Sequence, residues 1–222
     1  MNSENLPHLI KDIPKIYPIT DTRITNLSHA AQVERLIEGG AAFIQLREKY
    51  ASPKVFYEQA KEALKIAREN NVKIIINDRV DIALALKADG VHLGQDDLPP
   101  EFARKILGEK AIIGFSTHNL KQVADAVKLP IDYLAIGPVF ATKTKENPDK
   151  VVGVEGVKNV REIIKDFPLV AIGGITFENL TEVLNAGADS AAIISDLLSK
   201  PDKIAELMNK FSHFSLNDKN NI

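Results

Sequence analysis

The chain has no cysteine in its 222 residues, which excludes disulfides, thiolate zinc sites and cysteine nucleophiles and accords with a reducing compartment. It also lacks an excess of either charge. Its 28 Lys and Arg stand against 30 Asp and Glu, a formal net charge of −2, too small to gather nucleic acid or an anionic membrane through an overall field. Any anion must therefore be bound by local groups. No stretch approaches the roughly 18–20 consecutive apolar residues of a membrane span, and the start, from Met1 to Leu6, has neither the basic nor the apolar region of a signal peptide. These absences predict a cytoplasmic protein with no membrane and no nucleic-acid partner. What the chain does have is apolar material, 45% of its residues against 26% charged, which is ample for one large core. Its length suits a single α/β barrel domain.

Short runs rich in Ile, Val and Ala alternate with longer segments of helical period. Eight such units can be counted, with strands expected at Ile16–Thr20, 41–46, 72–76, Gly90–Leu93, 111–115, Tyr133–Ile136, Leu169–Ile172 and 190–194. The clearest helix is Pro53–Glu69, where Ser52 can cap, Pro53 suits the first turn, and Phe56, Ala60, Ala63, Leu64 and Ala67 form one apolar stripe. Several helices enter the next strand through a small glycine-containing turn, as at Gly39-Gly40-Ala41, Ala88-Asp89-Gly90 and Ala186-Gly187-Ala188. Near-continuous apolar strands are those of a parallel sheet buried on both faces. The predicted fold is an α/β protein, a single-domain (β/α)8 TIM barrel over residues 15–211, with a doubly wound sheet as the alternative. Residues 1–14 read as an N-terminal extension and 212–222 as a polar, Asn-rich tail.

Barrel active sites lie at the C-terminal ends of the strands, and there the sequence is rich in reactive types. Asp78 and the Asp96/Asp97 pair end adjacent strands, so two carboxylates can converge on Mg²⁺ while substrate phosphate and water complete its shell. Capping of the following helices is the alternative use of these aspartates. Arg47 and Lys49 project to one side of an extended segment and can cradle a diphosphate, or else are a solvated pair that salt-bridges to acidic side chains. The sixth loop, from 137 to about 153, has the length of a lid, and its Thr142, Thr144 and Lys145 suit phosphate oxygens. Gly173-Gly174, ahead of a helix expected to be capped by Thr176, and Ser195 fit the phosphate site that barrels build from their last two loops. His92 is expected to be a hydrogen-bonded barrel residue and His118 to support Ser116; neither belongs to a His/carboxylate motif.

Taken in order, Gln45-Leu46-Arg47-Glu48-Lys49, Asn77-Asp78-Arg79, His92-Leu93-Gly94-Gln95-Asp96-Asp97, Gly114-Phe115-Ser116-Thr117-His118, Gly137-Pro138-Val139-Phe140 with Thr142-Lys143-Thr144-Lys145, and Ile172-Gly173-Gly174-Ile175 closely resemble the thiamine phosphate synthase family over residues 17 to 211. The resemblance implies a transferase that joins 4-amino-2-methyl-5-(diphosphooxymethyl)pyrimidine to 4-methyl-5-(2-phosphooxyethyl)thiazole. Thiamine phosphate and diphosphate would be the products of a dissociative, Mg²⁺-assisted reaction. By motif it implies that Gln45, Leu46, Arg47, Glu48, Lys49, Asn77, Ser116 and Lys145 contact the pyrimidine diphosphate, with Arg47, Lys49, Ser116 and Lys145 in catalytic roles. Asp78 and Asp97, not Asp96, would hold magnesium, and Thr142, Lys143, Thr144, Gly174, Ile194 and Ser195 the thiazole phosphate. The partners implied are phosphorylated small molecules, and a homo-oligomer is compatible with the sequence.

One residue departs from the family pattern. Asp196 stands where a small apolar side chain is usual, and it is expected to cap a short final helix rather than enter the phosphate site. Two other readings stay open: the related thiazole tautomerase, and a catalytically silent barrel that binds thiazole phosphate for regulation.

Overall fold

The computed structural model describes residues 13–142, 144 and 149–214. Eight parallel strands close on themselves in sequence order, β1 to β8, with β8 pairing β1. They are β1 Ile16–Thr20, β2 Phe43–Leu46, β3 Lys73–Asn77, β4 Gly90–Leu93, β5 Ile112–Thr117, β6 Tyr133–Ile136, β7 Leu169–Ile172 and β8 Ser190–Ile193. One main helix follows each strand: α1 His29–Glu38, α2 Pro53–Glu69, α3 Val80–Leu86, α4 Pro100–Leu107, α5 Leu120–Ala126, α6 Gly153–Ile164, α7 Leu180–Asn185 and α8 Ile204–Ser212. The fold is the expected (β/α)8 barrel. Three strands start later than expected, because Ala41, Val72 and Ala111 still belong to the turns that close the preceding helices: their N–H groups bond back to Leu36, Ala67 and Gly108. No helix among the described residues is long and apolar enough to cross a membrane.

Alternation along the strands divides the apolar residues between two cores. Ile44, Leu46, Ile74, Ile76, Val91, Leu93, Ile113 and Leu134 face outward under the helices. Tyr17, Ile19, Phe43, Ile75, Ile112, Tyr133, Ala135, Val170 and Ala192 fill the barrel, as the two-residue period of a strand requires. In α2, Ser52 Oγ accepts from the Val55 N–H, Pro53 occupies the first turn, and Phe56, Ala60, Ala63, Leu64 and Ala67 are buried, as the sequence predicts. At the ends, Ile13 packs into the barrel floor. Ser212, the last residue of α8, donates to the Gly39 carbonyl at 3.1 Å, and Phe214 rests edge-on against Phe177 at 5.9 Å. Other residues of the expected extension and tail, 1–12 and 215–222, lie outside the described set.

The floor is stapled by a repeat with a period of two βα units. Asp89, Asp132 and Asp189 stand just before β4, β6 and β8, and each carboxylate accepts at 2.8 Å from a backbone N–H of the preceding strand, that of Ile74, Ile113 or Leu169. Arginines of the even helices reach the same level. Arg104 donates to Asp132 at 2.7 Å and Arg161 to Asp189 at 2.6 Å, while Arg68 bonds the Leu86 and Lys87 carbonyls. Charges spent at this end hold backbone groups that would otherwise be orphaned. The opposite end is thereby left to loops.

Candidate active site

The loops at the C-terminal ends of the strands surround a cavity of about 530 Å³. On β2 the side chains of Gln45, Arg47 and Lys49 line it, each two residues from the last. Leu46 and Glu48 point the other way. Leu46 is fully buried beneath the helices, and Glu48 is tied to the Thr22 hydroxyl at 2.8 Å and to the Tyr50 and Ala51 N–H groups at 2.9 and 3.1 Å. Of the five residues from Gln45 to Lys49 expected to contact the pyrimidine diphosphate, three therefore line the cavity, and Leu46 and Glu48 do not. Glu48 instead holds the β2 loop in place, and those N–H bonds lower its pKa despite the opposing desolvation.

Arg47 is oriented from behind by Asp21, at 2.5 Å, while Asp21 accepts from the Arg23 N–H at the start of the one-turn helix Thr22–Thr25. Lys49 pairs with Asp78. Asp78 has a left-handed backbone, φ 62°, a conformation that costs energy outside glycine and concentrates at functional sites. It does not cap α3, whose first turn begins beyond Arg79 without a side-chain cap. The capping alternative is likewise wrong for Asp96 and Asp97, since Pro99 occupies the cap position of α4. The Asp97 carboxylate turns back to accept from the Gly94 N–H at 2.6 Å. Burial, opposed by that bond and reinforced by neighbouring Asp78, pushes its pKa up to about 6. Asn77 is buried at the same level, and its side-chain N–H₂ has no partner among the described residues, an orphan donor of the kind a ligand satisfies.

The opposite wall comes from the last three loops. Thr142, Thr144, Gly173, Gly174, Ile194 and Ser195 all line the cavity. Gly173 and Gly174 have φ of 101° and 63°, and a Cβ on them would sit 2.6 Å from the Pro138 Cα and from the Ala141 carbonyl oxygen. Glycine is thus required both for the turn and for the close approach of the sixth loop. Lys143 and Lys145 lie outside the described residues, so their expected contacts are untouched by this geometry. The cap assigned to Thr176 belongs to Asn179, whose Oδ1 accepts from the Thr176 N–H at 2.8 Å while its Nδ2 donates to the Gly174 carbonyl at 3.0 Å. Asp196 is not a cap either. It sits in the first turn of the helix Ser195–Leu198, its carboxylate accepts from the Phe177 N–H at 3.0 Å, and it faces away from the cavity.

Both histidines lie nearer the site than their sequence context suggests. His92 lines the cavity from β4, bonding the Tyr133 hydroxyl through Nδ1 at 2.9 Å and Ser116 Oγ through Nε2 at 2.8 Å. It is therefore His92, and not His118, that supports Ser116. Burial lowers the His92 pKa to about 4, so the ring is neutral near pH 7. His118 bonds the Gly137 carbonyl at 2.7 Å and faces Asp149 at 3.5 Å, tying the start of the sixth loop to its far side. Tyr17, another cavity-lining residue, escaped the sequence reading because an aromatic inside an apolar strand looks like ordinary core.

Residues 16–197 match the family model described as thiamine monophosphate synthase. Among similar proteins, the thiamine-phosphate synthase of Clostridium novyi (strain NT) is 47% identical over 189 residues, 85% of this chain and 92% of that one. The thiamine-phosphate synthase of Chloroflexus aurantiacus is 43% identical over 86% of this chain and 88% of its own. The solved structure of a thiamine phosphate pyrophosphorylase from Pyrococcus furiosus superposes with a TM-score of 0.79 at 38% identity, covering 93% of this chain and 95% of that one.

Proposed function

The chain belongs to the thiamine monophosphate synthase family of transferases, and we propose that it joins 4-amino-2-methyl-5-(diphosphooxymethyl)pyrimidine to 4-methyl-5-(2-phosphooxyethyl)thiazole, releasing diphosphate. The observation that carries this reading is one cavity with two unlike walls. One presents Arg47, Lys49, the Asn77 amide, Asp78, Asp97 and Ser116. The other presents Thr142, Thr144, Gly174 and Ser195. The first suits a diphosphate, with a planar guanidinium fork beside a mobile ammonium; the second suits a monophosphate held by hydroxyl and backbone N–H groups.

Two carboxylates, Asp78 and Asp97, on one wall of the cavity fit Mg²⁺, which commonly takes one or two carboxylates and fills the rest of its shell with water and substrate oxygens. Asp97, whose pKa is raised by burial and further by neighbouring Asp78, is a carboxylate that a bound cation would help to ionise. Bound there by Asp78 and Asp97, the ion would neutralise charge on the leaving diphosphate. Lys49, partly exposed and now paired with Asp78, is free to swing to the diphosphate. Arg47, held by Asp21, is already aimed. These cations act on charge that grows as the C–O bond breaks, so they favour the transition state over bound substrate. A thiazole nitrogen brings its own lone pair, and the second wall has only to place it, so no general base is needed.

The test is direct: purified protein, both substrates and Mg²⁺, with thiamine phosphate and diphosphate measured together. Matched formation of both products is expected. Folded protein that forms neither would refute the reading.

A further inference from the structure

Inside the barrel, below the cavity, a single line of hydrogen bonds crosses from β2 to β5. Gln45 Nε2 donates to the Tyr17 hydroxyl at 2.9 Å; the Tyr17 and Tyr133 hydroxyls lie 3.0 Å apart; Tyr133 meets His92 Nδ1 at 2.9 Å; and His92 Nε2 meets Ser116 Oγ at 2.8 Å. Gln45, Tyr17, His92 and Ser116 all border the cavity, whereas Tyr133 in the middle does not.

The sequence makes deliberate room for this line. His92, Gly114 and Tyr133 share one register across β4, β5 and β6. A Cβ on Gly114 would lie 2.0 Å from Tyr133 Cζ and 2.5 Å from His92 Nδ1. Only glycine at that position lets the tyrosine ring reach over β5 to the histidine.

Proton counting then gives the line a direction. The Tyr17 hydroxyl receives the Gln45 N–H and has one proton of its own, which goes to Tyr133. Tyr133 has accepted and so must donate to His92 Nδ1. The neutral imidazole is left with its proton on Nε2, which it gives to Ser116 Oγ. Ser116, having accepted, keeps its own O–H to offer into the cavity, and Gln45, with one amide N–H given to Tyr17, keeps its carbonyl oxygen as an acceptor and its second N–H as a further donor.

We infer that the buried Tyr17–Tyr133–His92 line fixes the hydrogen-bonding polarity of the cavity, making Ser116 a donor and leaving the Gln45 carbonyl an acceptor toward the pyrimidine substrate, with Tyr133 a positioning residue that never touches it. The inference rests on the functional reading above for the identity of that substrate, but not for the direction of the line.

Two measurements on the full-length protein test it. Nitrogen-15 NMR of histidine-labelled protein, with the His92 signals assigned by their loss in His92→Gln, should show one neutral tautomer protonated on Nε2; a proton on Nδ1 overturns the inference. In Tyr133→Phe, which keeps the ring and deletes the hydroxyl, that single tautomer should give way to a mixture. Retention of the wild-type signal would equally overturn it.

Kinetically, Tyr133→Phe should lower kcat/KM for the pyrimidine substrate about tenfold while leaving KM for the thiazole phosphate unchanged. In a Ser116→Ala background the same change should add less than about twofold. Equal losses toward both substrates, or full additivity with Ser116→Ala, would show Tyr133 to be merely structural. If Tyr133→Phe does not fold, Tyr17→Phe breaks the line one link away and is judged by the same criteria. Wild-type protein that makes no thiamine phosphate would sink the functional reading alone, and the tautomer would still decide this one.

Discussion

Acid should destabilise this barrel through His92, and the size of the effect follows from its surroundings. The ring is buried, both nitrogens are engaged with hydroxyls, and its pKa falls to about 4 from an ordinary 6.5. A second proton would have to enter at Nδ1, where the Tyr133 hydroxyl already donates, and would charge a group cut off from water. A pKa depressed in the folded state gives stability that is present above 6.5 and lost as pH falls toward 4. With about 1.36 kcal/mol per pH unit, the full loss is about 3 kcal/mol, and about 2 kcal/mol is already gone between pH 7 and pH 5. Asp97 acts in the opposite sense: its pKa is raised from 3.8 to about 6, so the stability present below 3.8 is lost as pH rises to 6. The comparison is therefore made in an Asp97→Asn background, with and without His92→Gln, by urea unfolding at pH 7, 6 and 5. With m near 2.5 kcal/mol/M, the midpoint of the His92-containing protein should drop by about 0.8 M more than that of the glutamine variant. His29, whose pKa is also lowered by burial, contributes equally to both and cancels. Parallel midpoints across the pH range would refute the claim that His92 is a buried, neutral group.

Adding Mg²⁺ at about a hundred times its dissociation constant should stabilise the wild-type protein by about 2.7 kcal/mol and Asp97→Asn by much less, read as a thermal shift; equal shifts would remove Asp97 from the metal site. Gly114→Ala should cost about 3 kcal/mol, a fall of roughly 10 °C in Tm, because its Cβ has no space beside Tyr133; unchanged melting would mean that the tyrosine ring sits elsewhere. Asp132→Ala strips the Ile113 N–H and Arg104 of a buried acceptor and should cost about 3 kcal/mol. The activity of its folded fraction at the far end of the barrel should stay the same.

How much of this was legible in the sequence depends on the range of the signal. Apolar runs and glycine turns are local, so all eight strands can be read from them to within two residues. The Arg47 and Lys49 side chains could be placed together because period two is a property of the strand itself. The same rule, applied to Leu46 and Glu48, would have turned both away from the cavity; the family motif drew them in as a block. The capping alternatives for Asp78 and Asp97 could not be dismissed from sequence, because they hinge on a left-handed φ at Asp78 and on a carboxylate folding back to Gly94. Neither leaves a trace in residue type. The paired roles of Asp132 with Arg104 and Asp189 with Arg161 were hidden for a related reason: each pair joins residues 28 apart, and only closure of the barrel brings them together.

The interior network was the least legible feature, and the reason bears on how the barrel is built. Tyr17, His92 and Tyr133 occupy inward positions that an all-aliphatic barrel would fill with branched side chains. Each buried hydroxyl or ring nitrogen there costs stability unless it is partnered. Partnering is achieved only as a line, since every phenol accepts from one neighbour and donates to the next; deleting one member orphans two. A line of this kind has a direction, which the end members Gln45 and Ser116 carry to the cavity. The upper barrel thus gives up part of its apolar packing for a polar interior whose proton order is fixed before any ligand enters. The floor, where Asp89, Asp132 and Asp189 bind backbone N–H groups, supplies stability without touching the site. Because none of Asp89, Asp132 and Asp189 lines the cavity, changes at the floor should alter melting without altering catalysis, whereas changes in the line should alter both.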